Sequence, residues 1–467
     1  PEQLEPRQIL LLATLYRWDC YNSPATPGRA SECATIMLRT LVLCLCLIVA
    51  CNAFVAPVSR VNSVAKQNKF VAFNNDAFTA PVVVRSKSEL SMVLNKLDLP
   101  PVLGGVKSGN KKLVVVTGAS SGLGRECAKD LINRDFFVVC AVRDPEKMKA
   151  VAKEYGFKQS NFAILELDLA SLESVKKFTY NLKAFKSNKP LSALVCNAAV
   201  YLPTDPKPRF SKEGFEMSMA VNHLGHFLLC QLLLEDMVQK RTDDQRMIIV
   251  GSITGNTNTV GGGLVYPQAS LGDMKGLANG FQGSPDGKNC MADGKDFFGA
   301  KAYKDAKVCN MMTVSQLHRR YHDSTGITFS SMYPGCIAET ALFREKREWF
   351  RKGFPLFMKY VTGGYVGQEE AGERLSQCVW DERTKKSGVY WSWNGGAKRV
   401  GVYDFKKGEV QGAGGSGGDL FENDQSAEVS DPVKGALMFD LSSKLVGAKW
   451  PEVKAGKAAK KTPAAAV

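Results

Sequence analysis

Residues 113–116 (LVVV) form a β-branched run that passes directly into 117–124 (TGASSGLG) and then into a stretch with helical character, 125–133. Strand, glycine-rich turn and helix in that order bring backbone N–H groups and the positive end of a helix dipole to one edge of a sheet, where a pyrophosphate can sit. Gly118, Gly122 and Gly124 allow close approach of the backbone, with Ser120, Ser121 and Leu123 completing the turn. A plain surface turn before a helix is the alternative, and the strand-to-helix context argues for the nucleotide turn.

The pattern repeats along the chain. Residues 136–142 (FFVVCAV) read as a second strand ending at Arg143. An acidic residue there would bind a free adenosine ribose, whereas an arginine suits a 2′-phosphate, which points to NADPH over NADH. Asp144 follows and can instead cap a helix that starts at Pro145. Residues 162–167 form a third strand with Asp168 placed at the adenine edge, and 191–196 (LSALVC) a fourth, running into Asn197, Ala198 and Ala199. Small residues at a strand's carboxyl end leave room for a cofactor. Repeated βα units of this kind predict an α/β fold with a doubly wound, Rossmann-like parallel sheet.

The second half carries a candidate reaction centre. Asn222 lies in a helical stretch reaching Leu234, where it either bonds a backbone carbonyl or holds a relay water. Residues 247–250 (MIIV) form a fifth strand that delivers Ser252, preferred over Thr254 as the hydroxyl that orients a carbonyl or a phenol. Tyr303 and Lys307 stand four apart and share a helix face. A lysine ammonium beside the phenol favours the phenolate and makes the tyrosine a usable acid at neutral pH. A sixth strand, 327–332, brings Tyr333 and Cys336 to the same edge. The long glycine-rich insertion, about 256–300, reads as a lid over a large substrate or as a disordered loop. Residues 342–360 mix bulky apolar residues with cations, as in a helical cover whose apolar side meets substrate or membrane.

The chain begins at Pro1 and its first methionine is Met37, so residues 1–36 read as non-native upstream translation. Arg39 and the eleven-residue apolar run 41–51 suit a signal peptide over 37–53; a bilayer span needs about 20 residues. Residues 54–100, rich in Ser, Asn, Val and basic side chains, resemble a transit peptide and linker. The catalytic domain is expected over 108–445, with a basic flexible tail at 446–467. Five of the 13 cysteines fall in residues 1–51 and the other eight show no Cys-x-x-Cys spacing, which fits a reduced compartment. The net charge of +15 comes partly from leader and tail. No aromatic-interleaved basic patch or zinc spacing accompanies it, so neither nucleic acid nor a metal is expected.

Taken together, TGASSGLG at 117–124, NAA at 197–199, Asn222, Ser252, Tyr303 and Lys307 resemble the short-chain dehydrogenase/reductase superfamily over about residues 111–340. The stretches AVNHLGHFLL (220–229), VGSITGNTNT (250–259), YKDAKVCN (303–310), MYPGCIAET (332–340) and SGVYWSWN (387–394) are similar to the light-dependent NADPH:protochlorophyllide oxidoreductases. With them the resemblance reaches about residue 440. It implies hydride transfer from NADPH to C17 of a bound pigment's D ring under light, with a proton delivered to C18 by Tyr303 or Cys336. It also implies that Lys307 holds the nicotinamide ribose, and that Cys309, Tyr333 and Cys336 line the pigment pocket. A plastid location, peripheral membrane association and a homo-oligomer follow from the same resemblance. The family carries a glutamine near Met358, a departure here. Two other functions fit the fold: a light-independent NADPH-dependent carbonyl or retinol-type reductase, and a non-catalytic pigment-binding scaffold on a plastid membrane.

Overall fold

Successive residues of the first buried strand face opposite ways: Leu113 and Val115 enter one core, Val114 and Val116 another. The next strand repeats this, with Phe137, Val139 and Ala141 on one side and Val138, Cys140 and Val142 on the other. A strand apolar on both faces is stable only when helices cover both, which is the doubly wound arrangement. The computed structural model describes residues 103–104 and 108–453, except 264, 281–285, 347, 396–401, 405–408 and 412–414. The upstream segment, the leader up to residue 100 and the tail from 454 onward lie outside the described residues.

The strands are β1 (Leu103–Gly104), β2 (Leu113–Thr117), β3 (Phe137–Val142), β4 (Phe162–Glu166), β5 (Leu191–Cys196), β6 (Arg246–Val250), β7 (Thr328–Met332), β8 (Val389–Trp393), β9 (Val402–Asp404), β10 (Glu409–Gln411) and β11 (Leu420–Asn423). Nine of them form one sheet in the order β1-β4-β3-β2-β5-β6-β7-β8-β11, and β9 and β10 form a separate hairpin. The seven central strands are parallel, and β1 and β11 close the edges antiparallel. The strand order reverses beside β2, so the carboxyl ends of β2 and β5 open the crevice where such folds bind ligands.

The longer helices are α1 (Gly122–Asn133), α2 (Pro145–Glu154), α3 (Leu172–Lys186), α4 (Gly225–Gln239), α5 (Gly299–Leu317), α6 (Glu348–Phe357), α7 (Gln368–Trp380) and α8 (Pro432–Val446). Their starts are written locally: Asp144 accepts the Lys147 N–H at 2.9 Å ahead of Pro145, and Asp431 accepts the N–H groups of Val433 and Lys434 ahead of Pro432. Asp144 therefore serves as a helix cap. The run Met217–Gln239 is long and apolar enough to cross a membrane, yet 83% of its most apolar window is buried in the protein, where it forms a core helix.

The insertion departs from expectation. Its described part is neither an open lid nor a disordered loop, because Ala269, Leu271, Met274, Leu277 and Ala292 join the core. Polar bonds fasten it to the helix of Tyr303. Lys301 pairs with Asp305 at 2.6 Å and Asp293 at 3.2 Å, and the Ser270 N–H donates to Asp305. The insertion is thus a wall of the domain. Beyond α8 the chain is still packed: the Trp450 ring lies 4.7 Å from Phe439 and 5.1 Å from Phe227.

Candidate active site

The glycine turn is held against the end of β5 by one hydroxyl. Thr117 Oγ1 accepts the N–H groups of Asn197 (2.9 Å) and Ala198 (3.0 Å), and Asn197 Nδ2 donates to the Thr117 carbonyl at 2.9 Å. A side chain at Gly124 would bring its Cβ to 2.4 Å from Asn197 Nδ2 and 2.5 Å from the Gly118 carbonyl, a contact no residue but glycine avoids. Ser121 stands at the N-cap of α1 with extended backbone and no side-chain capping bond. Its hydroxyl and the first amides of α1 face the crevice edge together, a fit for a phosphate. Leu123 packs partly buried against the core below the turn. Arg143 is exposed directly after β3 and makes no ion pair among the described residues. Asp168 accepts the Ala170 N–H at 3.0 Å and takes the Ser174 hydroxyl near its own amide, so part of its capacity shapes the loop after β4. The protein thus offers a pyrophosphate cradle and, one strand over, an unpaired guanidinium.

The second cluster gathers around Tyr303 on α5. Asn222 sits in a π-helical turn, Ala220–Leu224, and exchanges two hydrogen bonds with the backbone of Val200, at 2.8 and 2.9 Å. Its side chain is therefore bonded to main chain, one of the two roles the sequence left open. Ser252 shares a 2.9 Å hydrogen bond with Thr254 and also bonds Tyr303. Both hydroxyls are thus present, with Ser252 the one on the phenol. Lys307 is buried and donates to the Val250 carbonyl at 2.8 Å, with its Nζ 5.7 Å from the Tyr303 ring centre.

That geometry corrects the expectation for the phenol. Burial pushes Tyr303 up to about 12, and only the Ser252 bond opposes it. Burial likewise brings Lys307 down to about 8. With its ammonium committed to a strand carbonyl, Lys307 does not draw out the phenolate; the protein's own groups hold Tyr303 as a neutral acid.

Cys336 and Tyr333 follow β7. Gly335 between them has φ +107° and a Cβ there would lie 2.3 Å from Val366, so the turn requires glycine. Arg374 clamps this segment by donating to the Pro334 carbonyl at 2.8 Å. Burial raises the Cys336 thiol to about 12, and Tyr333 also rises, from burial first and the Cys336 neighbour next. Cys309 differs. It is 0% exposed inside the core cluster, and burial pushes its thiol well up. The structure therefore does not bring Cys309 to the crevice: one turn and a half beyond Tyr303, it points to the opposite side of α5, where structural cysteine packs.

Several site neighbours escaped the sequence reading. The Tyr201 ring lies 4.9 Å from that of Tyr303, and Lys346 Nζ stands 5.4 Å over Tyr201. Phe343, Phe350 and Phe354 extend this aromatic wall, with the last two stacked at 4.7 Å. His226 bonds both Thr117 and the Asn222 carbonyl. Its position four residues after Asn222 was the available signal. Nothing in sequence spacing pointed to Lys346.

A nucleotide turn at the β2/β5 crevice, with a Ser–Tyr–Lys cluster at the next strand ends, defines a dehydrogenase of the short-chain class; residues 112–281 match the family described as short chain dehydrogenase. A solved structure of an uncharacterized protein from Mycobacterium Paratuberculosis shares the fold, with a TM-score of 0.50 and 20% identity over 75% of this chain and 97% of that one. The chain is 50% identical over 344 residues to the chloroplastic protochlorophyllide reductase of Cucumis sativus, covering 73% of this chain and 80% of that protein. It is 51% identical over 338 residues to that of Chlamydomonas reinhardtii, covering 72% and 78%. To protochlorophyllide reductase A of Oryza sativa subsp. japonica it is 45% identical over 395 residues, covering 83% and 94%. The chain belongs to the protochlorophyllide reductase family.

Proposed function

We propose that this protein reduces protochlorophyllide to chlorophyllide in the plastid, driven by light and using NADPH. The observation that carries this reading is the Tyr303 phenol, neutral and hydrogen-bonded to Ser252, beside an aromatic wall at the mouth of a dinucleotide crevice. A bound nicotinamide cofactor supplies the hydride. Gly118, Ser120, Ser121, Gly122, Leu123 and Gly124 form its pyrophosphate cradle, and Asn197, Ala198 and Ala199 leave space beside it. Asp168 meets the adenine edge. Arg143, exposed and without an ion pair, supports the preference for a 2′-phosphate and hence for NADPH.

In this reading Lys307, anchored on Val250, presents its remaining donors to the nicotinamide ribose, and Asn222 keeps the adjoining turn in register. Tyr303 and Cys336 each hold a proton at neutral pH, because burial raises both. Either can therefore release it to C18 as negative charge develops there, with Ser252 steadying the phenol. Tyr333 and Cys336 flank the pigment, and Cys309 supports α5 from behind. The exposed apolar residues Trp349 (53%), Leu356 (58%) and Tyr360 (73%), set among cations, support peripheral attachment to a plastid membrane. Family resemblance is what supports a homo-oligomer.

The test mixes the protein with protochlorophyllide and NADPH in darkness, then applies a flash while the absorption spectrum is recorded. A red shift that needs both light and NADPH is the expected result. Dark oxidation of NADPH by a simple carbonyl, with an unaltered pigment spectrum, would instead assign an ordinary reductase.

A further inference from the structure

The wall that faces Tyr303 is apolar and aromatic except for one cation. Tyr201 stacks within 4.9 Å of Tyr303, and Phe343 meets Tyr201 edge-on at 6.0 Å. Lys346 reaches over this wall, with Nζ 5.4 Å from the Tyr201 ring centre and 5.3 Å from that of Phe350. Both distances are within the range in which a ring face attracts a cation. The other two lysines near the phenol turn their ammonium groups into backbone. Lys304 donates to the carbonyls of Val265 and Pro267 at 2.6 and 2.7 Å, and Lys307 to that of Val250. The nearest carboxylate in sequence, Glu345, lies 3.8 Å from Arg209 and 3.7 Å from Arg344.

We infer that Lys346 is the anchor for a carboxylate on the substrate, seating the ionised propionate of the pigment beside the ring that is reduced. The inference rests on the function proposed above and adds to it the group that orients the pigment. The propionate of protochlorophyllide is carried on C17, the carbon that receives the hydride. A lysine one aromatic ring away from Tyr303 therefore holds the reacting edge of the D ring against the proton donor, while the phenylalanines take the flat macrocycle. Burial lowers Lys346 to about 8, which is the cost of holding a cation among rings and is relieved when an anion pairs with it. Charge-assisted pairing in such a half-buried site is stronger than at an open surface.

The experiment uses the full chain with two probes, protochlorophyllide as the free acid and its propionate methyl ester. Pigment dissociation constants are measured in darkness with NADPH present, and light-driven turnover is measured after a flash. The wild-type protein is expected to favour the acid. Lys346→Ala should weaken binding of the acid about ten- to a hundredfold while leaving the ester unchanged, so that the preference collapses. Lys346→Arg should restore much of it. Unaltered NADPH affinity in both variants shows that the fold is kept. If the wild-type protein reduces the pigment in light but Lys346→Ala keeps the same acid-to-ester ratio, the anchor is wrong and the proposed function stands. A wild-type protein that leaves the pigment unreduced after the flash overturns both.

Discussion

The hydroxyl of Thr117, last residue of β2, lies 2.9 Å from Nε2 of the buried His226 on α4. Thr117 Oγ1 already accepts two amide protons, from Asn197 and Ala198, which occupies both lone pairs. Its own proton is therefore donated to His226, and the imidazole carries its proton on Nδ1, which donates to the Asn222 carbonyl at 3.2 Å. Burial holds the ring neutral by lowering it to about 3. One hydroxyl and one imidazole thus tie the nucleotide turn to the turn that carries Asn222.

Thr117→Val leaves two amide donors without an acceptor. A loss of about 2 kcal/mol in stability is expected, read by urea unfolding, together with weaker binding of the dinucleotide. Thr117→Ser keeps the hydroxyl and should recover both. Equal behaviour of the two variants would show that the methyl group, not the bond, matters.

Tyr303→Phe removes one of the two neutral acids while keeping the ring against Tyr201. Pigment and NADPH affinities should stay near wild type, and the protonation step after a flash should slow by about 10²–10⁴-fold, the usual contribution of a positioned acid. If the slow step appears instead in Cys336→Ala, the thiol is the donor.

The pH profile should report Lys307. Its folded value sits near 8, below the ordinary 10.5, so its charge is present below pH 8 and lost as pH rises through that point. Tyr303, at about 12, stays protonated throughout this range. Turnover is expected to fall above about pH 8, and Lys307→Arg, which keeps its charge, should move that fall to higher pH. A limb that does not move belongs to another group.

Arg143→Ala tests the cofactor preference. Losing a guanidinium–phosphate contact should cost NADPH about ten- to a hundredfold in affinity and leave NADH unaltered. Parallel titrations of the two cofactors give the ratio directly.

Much of the fold was legible because its signals are local. The runs LVVV and LSALVC state their own strand character, and β5 falls on residues 191–196 as expected. Pairing of Asp144 with Pro145 wrote a cap that needs no distant partner. The glycine spacing of the turn follows from a contact of Gly124 with Asn197, which the strand-turn-helix pattern already implied. The insertion failed this test. Its apolar residues are widely spaced, and their place in the core depends on the Lys301–Asp305 pair and on contacts with α8 that no sequence period encodes.

By itself, then, the sequence determined the α/β architecture, the order of the parallel strands' turns and the set of residues gathered at their carboxyl ends. Tertiary structure alone decided their electrostatic state. Lys307 faces the Val250 carbonyl, so the phenol of Tyr303 is ruled by burial and remains protonated. It also decided which cysteine reaches the crevice, since Cys309 and Cys336 differ only in the side of the sheet edge on which they lie. Strand and helix patterns are set by neighbours along the chain. Desolvation and pairing are set by what the fold brings alongside, from residues far apart in sequence.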